Sequence, residues 1–258
     1  GLLPGNACTV YVRFKPSTEG AREGALTVSA TPGGVASATM TGTALSPVTQ
    51  VANGNSFTCA TNGTSERGGM VWCWGSNRSG QLGDGTLSDR VSPTSVPGLA
   101  NIVEIAAGDR HTCAREVDGS VLCWGGNSFG QLGDGTTTAR LAPTRLSWLA
   151  SVEELVLSVS HSCARDVDGN VLCWGSNSAG QLGDGTTTAH LTPTLVPGLT
   201  DVVQMAAGNV NNNDGSGWFG YGGYSCGLRS NGTMFCWGSD ENGQLGVDPA
   251  HNTNLPLP

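Results

Sequence analysis

Three aspartates recur in one setting: Asp84, Asp134 and Asp184 each lie in the string Leu-Gly-Asp-Gly-Thr. A carboxylate in such a loop could bind calcium or act as a general acid or base. The same side chain can also cap its own turn, which needs no ligand. Two histidines invite a second reading, because His111-x-Cys113 and His161-x-Cys163 look like halves of a zinc site. Strand positions two apart share one face without making a tetrahedral cage, and Tyr224 stands before Cys226 where a third histidine would be needed. His111 and His161 hold equivalent places in successive units, so packing or hydrogen bonding fits them better than a catalytic pair. His190 and His251 have no evident partner. The Gly-Asp-Gly string lacks the third glycine of a dinucleotide fingerprint, and a phosphate-cradling Gly-Lys pair is absent from a chain whose single lysine is Lys15. These residues point to no enzyme, no cofactor and no metal.

The cysteines carry more. There are nine, and after Cys8 they fall into pairs: Cys59 with Cys73, Cys113 with Cys123, Cys163 with Cys173, Cys226 with Cys236. Three pairs are separated by 10 residues and the first by 14. Asp118-Gly119, Asp168-Gly169 and Asn231-Gly232 lie between partners and mark β-hairpins. If Val117, Asp118 and Gly119 form a three-residue loop with Gly119 at positive φ, Cys113 lies directly across from Cys123. A two-residue loop would put them on opposite faces. This register favours four cross-strand disulfides and an oxidising compartment, extracellular or cell-envelope. Paired buried thiols are the alternative, and zinc the remainder.

The elements that position these groups repeat. Cys73, Cys123 and Cys173 are 50 residues apart, and Cys236 follows 63 later, one period plus an insertion of 13. One unit reads WGSNxxGQLGDGT, a polar link, PTxVPGL, a short apolar strand such as IVEIAAG, then HTCA, a turn and VLCWG. Several short strands per unit of about 40 to 50 residues describe propeller blades. Gly is 40 of 258 residues, about double the usual share. In the opening string these glycines let the backbone turn and approach a neighbour. Between them Gln81 is expected to point outward and Leu82 inward. Leu82, Leu132, Leu182 and Leu245 are expected as buried knobs, and Trp74, Trp124, Trp174 and Trp237 as fillers between units. The third unit departs, with ELVLSVSHS for EIAAGDRHT and Trp148 for Gly98. Its packing is expected to differ.

With four copies of CWG and GQLG and three of GDGT, the units resemble the repeats of the regulator of chromosome condensation family in its disulfide-bearing bacterial style. The resemblance covers roughly residues 50 to 258. It implies an all-β β-propeller, usually seven-bladed in that family. Residues 47–258 hold about four units, so the expectation is an array of about four blades from a larger propeller, in a piece of a longer chain. Residues 1–46 carry the alternating strands CTVYVRF, GALTVSA and ASATMTGTA. They resemble the C-terminal half of the immunoglobulin-like choice-of-anchor modules of bacterial surface proteins, a β-sandwich. That resemblance implies an upstream partner for Cys8.

Where a repeat is broken, a site is more plausible than where it is kept. The insertion NVNNNDGSGWFGYGGYS, residues 209–225, carries Trp218, Phe219, Tyr221 and Tyr224 on a polar, Gly-rich loop. Exposed aromatics of this kind anchor partner surfaces. A tolerated surface insertion is the bland reading. A net charge of −8 offers no basic stripe to nucleic acid, and no apolar run is long enough to span a membrane as a helix. The sequence therefore reads as a non-catalytic module of a secreted or cell-envelope protein that binds an unknown protein or glycan. The family resemblance implies the alternative, a guanine-nucleotide exchange factor for a small GTPase, with the 209–225 loop as its only candidate wedge.

Overall fold

The structure is a computed structural model that describes residues 20–30, 34–44, 48–64, 66–209, 222–246 and 252–258. The chain divides into two compact units, Gly1–Pro47 and Val48–Pro258. In the first, β1 (Gly20–Ala30) and β2 (Gly34–Ala44) form one antiparallel hairpin along their full length. The expected strand CTVYVRF and Cys8 lie outside the described residues, and the two-stranded hairpin does not establish the expected sandwich.

The second unit is four antiparallel sheets of four strands, with no helix among the described residues. Blade one is β3 (Gln50–Asn53), β4 (Phe57–Thr61), β5 (Val71–Gly75) and β6 (Arg90–Ser95). Blade two is β7 (Ile102–Ala107), β8 (His111–Glu116), β9 (Val121–Gly125) and β10 (Arg140–Arg145). Blade three is β11 (Val152–Leu157), β12 (His161–Asp166), β13 (Val171–Gly175) and β14 (His190–Leu195). Blade four is β15 (Val202–Asn209), β16 (Gly223–Arg229), β17 (Met234–Gly238) and β18 (Thr253–Leu257). Strand order within each sheet follows the chain.

The middle hairpins follow from their turn chemistry. Gly119 takes φ 79°, Glu116 and Ser120 close a three-residue loop, and the Asp118 carboxylate accepts the Ser120 N–H at 2.9 Å. Cys113 then pairs with Cys123 across the ladder. All four expected disulfides form, each with Cα atoms 4.1 Å apart.

The core lies between blades, not within them. Between blades one and two it joins the Cys59–Cys73 disulfide, Val71, Leu82, Val96 and Leu99 to Ile102, Ile105 and Trp124. The same contact recurs between blades two and three around Val121 and Trp174, and between blades three and four around Val171 and Trp237. The four leucine knobs are buried, Leu245 at 6% exposure and the others at 1% or less. Gly83 explains why the GQLG string needs glycine. It has φ +71°, and a Cβ there would lie 2.6 Å from the Trp124 ring nitrogen. Gly133 and Gly183 hold Trp174 and Trp237 in the same way.

Gln81 corrects one expectation. It is buried rather than outward, its carbonyl serving the next blade and its side-chain oxygen accepting the Ser79 N–H at 2.8 Å. In the third unit, Leu146 and Leu149 stay buried while Trp148 turns outward at 64% exposure. The change in packing falls at Ser158, which replaces Gly108 and donates its hydroxyl to the Gly208 carbonyl of blade four at 2.7 Å.

Candidate functional site

Three sets of polar groups recur in the second unit, and two of them are consumed by architecture. In the first set, the tryptophan of each of blades two to four and a hydroxyl of the same blade donate to one carbonyl of the preceding blade. Trp124 Nε1 (3.0 Å) and Thr112 Oγ1 (2.8 Å) donate to the Gln81 carbonyl. Trp174 Nε1 and Ser162 Oγ, both at 2.9 Å, donate to that of Gln131. Trp237 Nε1 (2.9 Å) and Ser225 Oγ (3.2 Å) donate to that of Gln181.

The histidines extend this pattern. Ser162 gives its proton to Gln131, so His111 Nε2 donates to Ser162 Oγ, at 2.8 Å. His161 Nε2 donates to Ser225 Oγ in the same way, at 2.9 Å. Each ring is therefore the neutral Nε2–H tautomer, with a buried Nδ1 that has no partner. Burial depresses the His111 pKa to about 3, with a smaller contribution from the His161 charge, and the His161 pKa to about 4. Both imidazoles are neutral and fully buried.

The second set is the aspartate loop. Asp84 accepts the Thr86 N–H (3.0 Å) and hydroxyl (2.7 Å), an Asn77 amide hydrogen (3.1 Å) and Arg90 Nε (2.7 Å). Burial alone would raise its pKa, but these hydrogen bonds outweigh it and hold the carboxyl below its ordinary value. Asp134 repeats the pattern with Arg140. In blade three His190 replaces the arginine and meets Asp184 at 2.6 Å. These carboxylates cap their turns and carry full sets of donors, so turn geometry accounts for them without a cation. Among the described residues no three His, Cys, Asp or Glu side chains converge as a metal site would require. The string Gly126-Asn127-Ser128-Phe129-Gly130 has the spacing of a hydrolase nucleophile elbow. It forms a turn after β9 with no helix behind it, so Ser128 lacks the strand–turn–helix setting.

The third set lies where the repeat varies. The turns between first and second strands of blades one to three, and the end of β15 in blade four, gather around an open cleft of about 280 Å³. They read Asn53-Gly54-Asn55, Ala107-Gly108-Asp109, Leu157-Ser158-Val159 and Ala207-Gly208-Asn209. Neighbouring turns are stitched together by Asn55 N–H to the Asp109 carbonyl and Asp109 N–H to the Ser158 carbonyl, each at 3.3 Å. Gly108 permits this approach, because a Cβ there would lie 2.4 Å from the Ser158 carbonyl oxygen. The lining mixes the polar side chains of Asn53, Asn55, Asp109, Ser158 and Asn209 with the apolar ones of Ala107, Leu157, Val159 and Ala207. Sequence reasoning did not find this cleft. Its signal was available in the unlike residues that follow four like strands.

Of the sequence-predicted aromatics, Tyr224 occupies the place of His111 and His161 on the second strand of its blade. Its ring packs against Gly208, one of the cleft-lining residues, but Tyr224 is not itself part of the lining. Trp218, Phe219 and Tyr221 lie outside the described residues. Their segment joins Asn209 to Gly223, so the insertion springs from one of the four cleft turns.

Four disulfide-bonded, four-stranded blades with a varied cleft at their inner turns define a repeat protein of the propeller class. Comparison with known families makes this specific. A family model for the regulator of chromosome condensation (RCC1) repeat matches residues 68–115, 118–165 and 168–210, and a second RCC1-repeat model matches 102–131, 153–181 and 202–244. The chain belongs to the RCC1-repeat family. A comparison with curated proteins returns no match. Among solved structures, yeast RCC1 (Prp20) bound to Kap60 is similar at 22% identity and TM-score 0.67, over 86% of this chain and 50% of that one. Prp20p from Saccharomyces cerevisiae, studied with its binding to Gsp1p and histones, gives 22% identity and TM-score 0.66 over 86% and 52%. Human WBSCR16 gives 22% and 0.67 over 85% and 55%. At this identity the likeness speaks for the fold alone. The chain spans about half the length of these solved relatives.

Proposed function

We propose that the chain is a non-catalytic interaction module of a secreted or cell-envelope protein, and that it binds a protein or glycan at the cleft of its inner turns. One observation carries the reading: the repeated polar groups are spent on holding blades together and on capping turns, and unrepeated ones line an open cleft. Asn and Asp side chains on such a surface suit a ligand rich in hydroxyls or amide groups. The four disulfides are consistent with an oxidising compartment. The 209–225 insertion adds aromatic surface at one of the cleft turns, a contribution argued from its sequence.

The test is capture from a secretome or on a glycan array, comparing the native chain with a Trp218→Ser, Phe219→Ser variant. Loss of capture with an unchanged melting temperature supports the reading. Unchanged capture removes the loop from it. The competing exchange-factor reading rests on the family resemblance, and acceleration of nucleotide release from a small GTPase would favour it over ours.

A further inference from the structure

The linker between blades two and three breaks its repeat and turns a tryptophan toward solvent. Each linker between successive blades is clamped to a hairpin of the blade it leaves. Leu146 N–H donates to the Val121 carbonyl at 2.9 Å, and Val152 N–H to that of Gly119 at 3.1 Å. Val96 with Ile102, and Val196 with Val202, make the same two bonds in the other linkers. Between the clamps those linkers turn through Pro97-Gly98 and Pro197-Gly198, with glycine φ of 76° and 70°. The linker between blades two and three turns through Ser147-Trp148 instead, with Trp148 at negative φ. Leu146 and Leu149 are buried like Val96, Leu99, Val196 and Leu199, so the core beneath is alike in all three. The indole is 64% exposed, and folding gains little from it.

Two more apolar side chains stand beside it. Val117 and Val167, at the hairpin tips of blades two and three, are 47% and 56% exposed. Ser151 in the linker holds both tips. A Cβ on Gly119 would lie 2.7 Å from its Cα, and its carbonyl accepts the Val167 N–H at 3.0 Å. Trp148 and the two valines therefore share the span of one linker, at the ends of β8 and β11 remote from the cleft. Blades two and three are packed against neighbours on both faces, so the patch is not an end of the array. Its charges are one-sided. Arg145 pairs with Glu116, and Arg165 with Glu153 and Glu154. Asp118 and Asp168, next to the valines, are exposed and meet no cation at ion-pair distance among the described residues.

We propose that this patch docks a protein segment in which a lysine or arginine stands beside an apolar side chain. The cation lies over the Trp148 ring, within reach of Asp118 and Asp168, and the apolar side chain seats on Val117 and Val167. The charge selects this occupant. The arginines of the patch are already paired, so the cation that complements Asp118 and Asp168 comes from the partner. A glycan would use the ring without using that charge.

The test selects a random phage-displayed peptide library on the full chain under non-reducing conditions. A Ser147→Pro, Trp148→Gly variant restores the turn of the other two linkers and should keep the native melting temperature. Trp148→Ser alone, which leaves the rest of the turn as it is, is expected to show the same loss of binding. Peptides enriched on the native chain and not on these variants should carry lysine or arginine next to an apolar residue. Their affinity, read by fluorescence anisotropy, should fall about tenfold or more in either Trp148 variant. It should fall several-fold in Asp118→Asn, Asp168→Asn, and weaken with added salt. A library that enriches nothing on the native chain over the variants would overturn the proposal. So would enriched peptides without basic residues, Trp148-dependent binding on a glycan array alone, or native copies that associate through Trp148 in light scattering.

Discussion

Blades two and four follow one template and meet different fates. In blade two every template residue is used: Val121 is buried, His111 reaches Ser162, and Glu104 reaches Leu155 of the next blade. In blade four Met234 and Gln204 are exposed, and Tyr224 replaces the histidine and packs its ring against Gly208. The difference teaches that the unit of stability is the pair of blades. A strand such as VLCWG supplies half a core, and its neighbour supplies the other half.

Acid should stress this comparison most. His111 and His161 are neutral when folded, with pKa values pushed to about 3 and about 4 from an ordinary 6.5. An unfolded chain binds protons there first, so stability is full above about pH 6.5 and falls as the pH drops toward 4. The slope is about 1.4 kcal/mol per pH unit for each histidine, read from denaturant midpoints. His111→Gln should roughly halve this slope, while Tyr224→Phe in blade four should leave it unchanged. Next in size is Trp124→Ala, expected to cost about 3–5 kcal/mol because it empties the seam between blades one and two. Trp74→Ala, where the ring is only half-buried, should cost less than half of that. Equal costs would contradict the pairwise account.

The smallest effect separates blades two and three. Arg140→His copies the Asp184–His190 pair into the Asp134 loop. The pair is partly exposed, so the expected loss is below about 1 kcal/mol. The reverse change, His190→Arg, should be neutral or slightly stabilising in a thermal melt.

Much of the fold was legible because it is local and repeated. The register that joins Cys113 to Cys123 follows from Asp118-Gly119 and a three-residue loop. The leucine knobs and the glycines beside them follow from the period. The burial of Gln81 was not legible, because its task is to offer a backbone carbonyl to Trp124 and Thr112 of another blade. No side-chain pattern records that. His111 was read as a packing or hydrogen-bonding element, but which partner it takes was not legible, because Ser162 lies 51 residues away and comes near only once blades stack. The cleft was hidden for the same reason: Asn55, Asp109 and Asn209 come together only when four separate turns share one rim.

The central claim is that repeated residues build the molecule and unrepeated ones at the cleft bind. Its most direct measurement is ligand capture alongside melting temperature for two variants, Asn55→Ala with Asp109→Ala in the cleft, and Asp134→Asn in the repeat. The account predicts that the cleft variant loses capture and keeps its melting temperature, while Asp134→Asn melts earlier and still captures below its melting point. Capture that survives in the cleft variant and vanishes in folded Asp134→Asn would contradict it.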